Sequence, residues 1–144
     1  MLSIIIFYLD RISKMIIIEN FHSYNHYINE YLNINLVWNT GIGFGLLSYS
    51  SELLYNMLTI LIFLVIMFLF YFALISNLKD KIAVSIIIGG ACGNFYDRII
   101  FNAVPDFIDL HVGTFHWFTF NVADIFITIG IILYVMLEIR KNKV

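Results

Sequence analysis

The chain has 144 residues, of which 61% are hydrophobic and only 12% charged, with a mean hydropathy of +0.90 and a formal net charge of -2. A soluble domain carries about 25% charged residues, so too little polar surface is available to coat a water-soluble globule, and no basic cluster or stripe suggests a nucleic-acid partner. The length suits one membrane domain spanning residues 1–144, and the single cysteine, Cys92, excludes both an intrachain disulfide and a cysteine zinc cluster.

A membrane-spanning helix needs about 20 mostly apolar residues. The first predicted span covers about 2–18 and is interrupted by Asp10, Arg11 and Lys14. Its charges do not precede the apolar run and no small-residue cleavage site follows it, so it is read as a retained span, not a signal peptide. Asp10 and Lys14 are spaced i, i+4 and pair on one helix face; the reading is a structural ion pair that stitches this helix to its neighbours.

An outer-face segment follows, at about 20–51. Phe21, Tyr24, Tyr27, Ile28 and Tyr31 recur at near-helical spacing, which predicts an amphipathic helix lying at the membrane surface. From Asn35 to Leu46, β-formers mix with Gly41, Gly43 and Gly45, which predicts short strands with close backbone approach. These glycines are no dinucleotide fingerprint, because no strand–turn–helix unit surrounds them.

The remaining spans are predicted at about 53–75, 82–100 and 118–137, the first of these with almost no polar interruption. The link from Asn77 to Lys81 is short, so the helices it joins are antiparallel neighbours. Lys79, Lys81, Arg140, Lys141 and Lys143 all fall at one side of this arrangement, while 19–52 and 99–117 contain no Lys or Arg. The positive-inside rule then places both termini in the cytoplasm and the two longer connections outside.

Polar residues recur between Gly89 and Asp124. Gly89 and Gly93 have the small-xxx-small spacing of closely packed membrane helices. Asn94, Asp97 and Arg98 make the outer end of the third span polar; Asp97 with Arg98 is read as a structural pair, with Arg98 in addition able to hold a polar backbone or head group. Asn121 and Asp124 share a face at i, i+3 on the fourth span, where no Lys or Arg is near enough to neutralise the aspartate. Ionisable groups at membrane depth are costly and mark function by default. Asp106 follows Val104-Pro105, where a helix does not continue easily, and antiparallel third and fourth spans would bring it to Asp124 near the outer surface. Two carboxylates in one site share a proton, which suits hydrolysis of a peptide bond by acid–base action on water. The same residues would equally suit a proton relay in a small proton-coupled transporter or channel subunit.

Other groups have plainer readings. Asp109 is expected at the interface in solvent. His22 and His26, and His111 and His116, lie in separate segments with no His-Glu-x-x-His pattern, so no metal site is expected. Cys92 is expected to pack as a small apolar residue.

Five segments, taken together and in order, resemble the bacterial lipoprotein signal peptidase (signal peptidase II) family. They are Asp10-Arg11-Ile12-Ser13-Lys14, Asn39-Thr40-Gly41-Ile42-Gly43-Phe44-Gly45, Gly89-Gly90-Ala91-Cys92-Gly93-Asn94-Phe95-Tyr96-Asp97-Arg98, Val104-Pro105-Asp106-Phe107 and Phe120-Asn121-Val122-Ala123-Asp124. The resemblance implies four transmembrane helices, a small β-sheet cradle and an interfacial helix on the outer face of the bacterial cytoplasmic membrane. It implies an aspartic endopeptidase without cofactor or metal, acting as a monomer among membrane lipids. The implied substrate is a diacylglyceryl-modified prolipoprotein, cut on the N-terminal side of the lipidated cysteine. By this correspondence Asp106 and Asp124 are the catalytic pair. Asn39, Gly41, Asn94, Arg98 and Asn121 line the site, and Asp10, Lys14 and Asp97 support it. Arg11 stands where the family usually has Gln, Gly43 where it has Ala or Ser, and Pro105 where Val is commoner.

Overall fold

A computed structural model describes residues 1–21, 26–41 and 52–142. The order of elements is α1 (Leu2–Asn20), β1 (His26–Asn29), β2 (Leu32–Asn39), α2 (Glu52–Ile75), α3 (Leu78–Phe101), β3 (Val104–Val112), β4 (Phe115–Phe120) and α4 (Val122–Lys141). The chain is mainly helical. Among the described residues α2, α3 and α4 are long and apolar enough to cross a membrane. The charges of α1 at Asp10, Arg11, Lys14 and Glu19 set it apart from these three.

Capping chemistry explains two of the helix starts. Asn77 caps α3, its side chain accepting from the backbone N–H groups of Lys79 and Asp80, which satisfies donors that a helix start leaves unpaired. Asn121 caps α4 in a reciprocal capping box with Asp124. At its outer end α3 stops on Asn102, whose left-handed φ of 53° turns the chain into β3.

Helix α3 is the centre of the bundle and packs against α1, α2 and α4. Glycines set those contacts. A side chain at Gly89 or Gly93 would run into Ile6 or Asp10 of α1, and one at Gly90 into the Ala123 carbonyl of α4. The small-residue spacing therefore serves α1, and the glycine between serves α4. Ala83, Val84 and Ile88 are buried, and Cys92 packs beside this core with Leu69, Phe72 and Tyr134, as an apolar residue would. Helix α2 leaves Leu53, Met57, Ile60, Leu61, Leu64 and Phe68 exposed, among others, which is the surface expected of a helix facing lipid.

The four strands form one antiparallel sheet in the order β1-β2-β3-β4. In β2 and β3, Val37 pairs with Asp106 and Asn39 with Val104. Residues two apart on a strand share a face, so this register puts the Asn39 and Asp106 side chains together.

Three expectations are corrected. The aromatic run is not helical over its described part: Tyr27 and Ile28 lie in β1 and Tyr31 in the turn that follows, because pairing with β2 outweighs the near-helical spacing of the aromatics. Tyr24, Gly43 and Gly45 lie outside the described residues. The fourth helix starts at Val122, not 118, because Phe118–Phe120 pair with β3 and Asn121 supplies the cap. Asp109 is not solvated: it is buried, accepting from Asn33 and paired with His116 at 2.8 Å.

Candidate active site

Asp106 and Asp124 come from different elements and meet through one asparagine. Asp106 lies in β3, nearly fully buried. One of its oxygens accepts from Asn39 Nδ2 at 2.8 Å and the other from Asn121 Nδ2 at 2.5 Å. Asp124 is in the first turn of α4, where the helix dipole favours a carboxylate. It accepts from Asn94 Nδ2 at 2.8 Å and from the Asn121 backbone N–H at 3.2 Å. The Asn121 side-chain oxygen accepts in return from the Asp124 N–H at 3.1 Å. The fully buried Asn121 thus orients both carboxylates at once.

Burial pushes the Asp106 carboxyl up from 3.8 to about 6, and the charge of Asp124 adds to that push; the amide hydrogen bonds from Asn39 and Asn121 oppose it. A carboxyl near 6 exchanges protons readily at neutral pH.

The other site residues hold this pair in place. The Asn39 side chain closes a turn by accepting from the Gly41 N–H at 2.8 Å. Arg98 donates to the Gly41 carbonyl at 2.8 Å and to the Asn94 carbonyl at 3.0 Å. Tyr55 of α2 in turn donates to the Arg98 carbonyl at 3.3 Å. Arg98 therefore ties the Asn39 turn to α3. It is not the partner of Asp97, because consecutive helical residues point about 100° apart.

Behind the pair lies a buried ionic cluster. Lys14 Nζ is fully enclosed and donates to Asp10 at 2.9 Å, Asp97 at 2.7 Å and Asn94 at 2.8 Å. The predicted Asp10–Lys14 pair is present, and it does join α1 to its neighbours, since the second Asp10 oxygen accepts from the Ala123 N–H of α4 at 3.0 Å. Arg11 completes the cluster. It contacts Asp97 at 2.5 Å and Asp10 at 3.0 Å, and lies 4.9 Å over the Tyr96 ring. Reading the sequence by pairs missed Arg11, although a second basic residue three before Lys14 in an apolar run is a signal that two carboxylates need answering.

Asp109 faces the other way. Three positions from Asp106, it projects from the opposite side of β3 and belongs to the His116 and Asn33 contacts described above. His111 stacks on His116 with ring centroids 5.1 Å apart. His22 lies outside the described residues, and among the described ones no group of three or more His, Cys, Asp or Glu is placed to hold a metal ion.

A cleft of about 310 Å³ opens beside Asp124, walled by Leu110, Phe118, Phe120, Ile125, Thr128 and Ile129. One carboxylate thus faces an almost wholly apolar trough along α4.

Residues 2–140 match the family model described as signal peptidase (SPase) II. The chain is similar to a lipoprotein signal peptidase of Pelagibacter ubique, 46% identical over 97% of this chain and 86% of the relative. It is also similar to one of Anaplasma phagocytophilum, 39% identical over 94% and 87%. Two solved structures, both described as bacterial membrane enzymes, share the fold. One has a TM-score of 0.81 and 30% identity, covering 98% of this chain and 87% of the other. The second has a TM-score of 0.80 and 29% identity, covering 94% and 88%.

Proposed function

Because the chain belongs to the signal peptidase II family and is a membrane peptidase that removes signal peptides from lipoproteins, we propose that Asp106 and Asp124 are its catalytic pair. The observation that carries this is Asn121, whose side chain and backbone bind both carboxylates. Family membership also sets aside the transporter alternative, and nothing in the geometry favours it.

In the reaction so assigned, one aspartate is ionised and the other protonated. The ionised carboxylate takes a proton from water as the water oxygen attacks the scissile carbonyl. The protonated carboxyl donates to that carbonyl oxygen. The tetrahedral intermediate then collapses, its C–N bond breaks, and the leaving amine takes up a proton from the pair. The amides of Asn39, Asn94 and Asn121 hold the carboxylates in place throughout. No covalent enzyme intermediate is required. The pair titrates as a unit, so its two protonation steps belong to both residues.

The substrate is a prolipoprotein carrying a diacylglyceryl group on cysteine, cut on the N-terminal side of that cysteine. Each buried CH₂ contributes about 0.8 kcal/mol to membrane retention, so such a substrate keeps its scissile bond close to the bilayer surface. The apolar cleft beside Asp124 supports that reading. In the bilayer α1 forms the fourth span, its charges satisfied by α3 and α4. Both termini are cytoplasmic, the pair lies near the outer face, and the enzyme works as a monomer within one membrane domain. Gly41 and Arg98 border the substrate path, while Asp10, Lys14 and Asp97 support it from behind.

The test is cleavage of a prolipoprotein by purified protein in detergent, with and without prior diacylglyceryl modification, read by mass spectrometry. Cleavage of the lipidated form alone, N-terminal to the modified cysteine, is expected. Equal cleavage of both forms would remove the lipid requirement.

A further inference from the structure

We propose that Arg11 is a positioning residue for the Asp106–Asp124 pair, supplying the second positive charge that keeps the ionic cluster behind the pair neutral and thereby setting the pH range of activity. The inference rests on the catalytic assignment made above.

The cluster holds two carboxylates, Asp10 and Asp97, both fully buried, and two cations, Lys14 and Arg11. Its formal charge is zero only because Arg11 is present. Both terminal nitrogens of Arg11 engage Asp97, and one also reaches Asp10. One guanidinium nitrogen thus donates to both carboxylates of the cluster, and the other lies against Asp97. The guanidinium also lies over the rings of Tyr96 and Phe7, 4.9 and 6.0 Å from their centroids. With its own charge matched, Asp97 leaves Lys14 placed to donate to Asn94 as well.

Two hydrogen-bonded arms connect this cluster to the pair. One runs from Lys14 through Asn94 to Asp124. The other runs from Asp10 to the Ala123 N–H, one residue before Asp124. The charged and titratable groups around Arg11 are Tyr8, Asp10 and Lys14 on α1, Tyr96 and Asp97 on α3, and Asp124 on α4 through those arms. Arg98 of α3 is turned to Gly41, Tyr55 of α2 is on the Arg98 carbonyl, and Asp106 of β3 lies beyond Asn121. Removing the guanidinium leaves one uncompensated negative charge beside the pair. In a poorly hydrated site such a charge favours the proton on its neighbours.

The experiment compares the pH dependence of kcat/KM on a lipidated prolipoprotein for wild type, Arg11→Gln, Arg11→Lys, Asp97→Asn and Arg11→Gln with Asp97→Asn. Arg11→Gln is expected to move both limbs of the profile to higher pH by about half a unit to one unit, the scale of one nearby unit charge. Asp97→Asn, which leaves an excess positive charge, is expected to move them to lower pH. The double variant, neutral again, returns the limbs towards wild type even where its maximal rate is lower, and Arg11→Lys keeps the wild-type limbs. Loss of rate at every pH with unmoved limbs would overturn the proposal and leave Arg11 a packing residue. If Arg11→Gln does not fold, Asp97→Asn carries the same test with opposite sign. Inactive Asp106→Asn and Asp124→Asn alongside unmoved limbs would reject this inference alone; active ones would reject the pair itself.

Discussion

Asn121 carries three roles on one side chain and one N–H. Its side chain caps α4 by accepting from the Asp124 N–H and donates to Asp106, and its backbone N–H donates to the Asp124 carboxylate. Loss of an asparagine cap costs about 1 kcal/mol, and a hydrogen bond to a charged group contributes about 1.5–3 kcal/mol. Asn121→Ala is therefore expected to lower kcat roughly 10- to 100-fold with a modest loss of thermal stability. Steady-state kinetics and a thermal melt in detergent read both, and an unchanged kcat would show that the amide does not orient the pair. The Asp106 carboxyl gives a second expectation. Its value in the fold, about 6, lies above the ordinary 3.8. The protonated form is thus the one the fold favours. The associated stability is fully present below the unfolded value and is lost as pH rises through about 6, with a ceiling of about 3 kcal/mol. The Tm of wild type minus that of Asp106→Asn should fall by several degrees between pH 4 and pH 8. Parallel melting curves across that range would contradict the raised value.

At the scale of elements, the pair depends on how closely α4 approaches α3. The Asn94–Asp124 hydrogen bond lies one turn outward from Gly90, where a Cβ would stand 2.5 Å from the Ala123 carbonyl oxygen and 2.9 Å from Ile127. Overpacking of this kind costs typically 1–3 kcal/mol. Gly90→Val should reduce activity more than tenfold and lower the Tm, whereas Leu74→Val on the exposed surface of α2 should change neither. Equal behaviour of the two variants would show that the α3–α4 spacing does not control the site. Long apolar runs made α2 and α3 legible in the sequence to within a few residues, and Asn94, Asp106, Asn121 and Asp124 stood out among apolar or helix-breaking surroundings, whereas Asn39 was reached only through the family resemblance. The start of α4 was not legible, because Phe118, Thr119 and Phe120 suit a helix or a strand equally and only pairing with β3 decides. The burial of Asp109 was hidden for a similar reason. Its partners, Asn33 and His116, come from neighbouring strands whose register the sequence does not state. Arg11 was hidden because the charge balance of the cluster depends on Asp97, 86 positions away.

At the scale of the whole molecule, the exposed lysines and arginines gather at one end and the buried ionic cluster, with the pair, at the other. Lys141 at the end of α4 reaches Asp80 at the start of α3 at 2.5 Å, so Lys79 and Lys81 of α3 lie at the same end of the bundle as Arg140 and Lys141 of α4. Asp124 sits in the opposite, first turn of α4. The proposed orientation, with the basic end cytoplasmic, predicts that single cysteines placed in a Cys92→Ala background react with a membrane-impermeant thiol reagent in intact cells at Thr114 but not at Lys79. The reverse pattern would invert the topology and place the pair at the cytoplasmic face.

The central claim is that Asp106 and Asp124 act as one catalytic unit. The most direct measurement is single-turnover cleavage of a lipidated prolipoprotein by wild type, Asp106→Asn, Asp124→Asn and the double variant, each first shown to be folded by its melt. Residues that act as a unit lose activity non-additively. Each single variant should therefore be about as inactive as the double, with wild type alone releasing signal peptide. A folded single variant that keeps a wild-type rate would contradict the claim, and would leave the shared asparagine without the chemistry proposed for it.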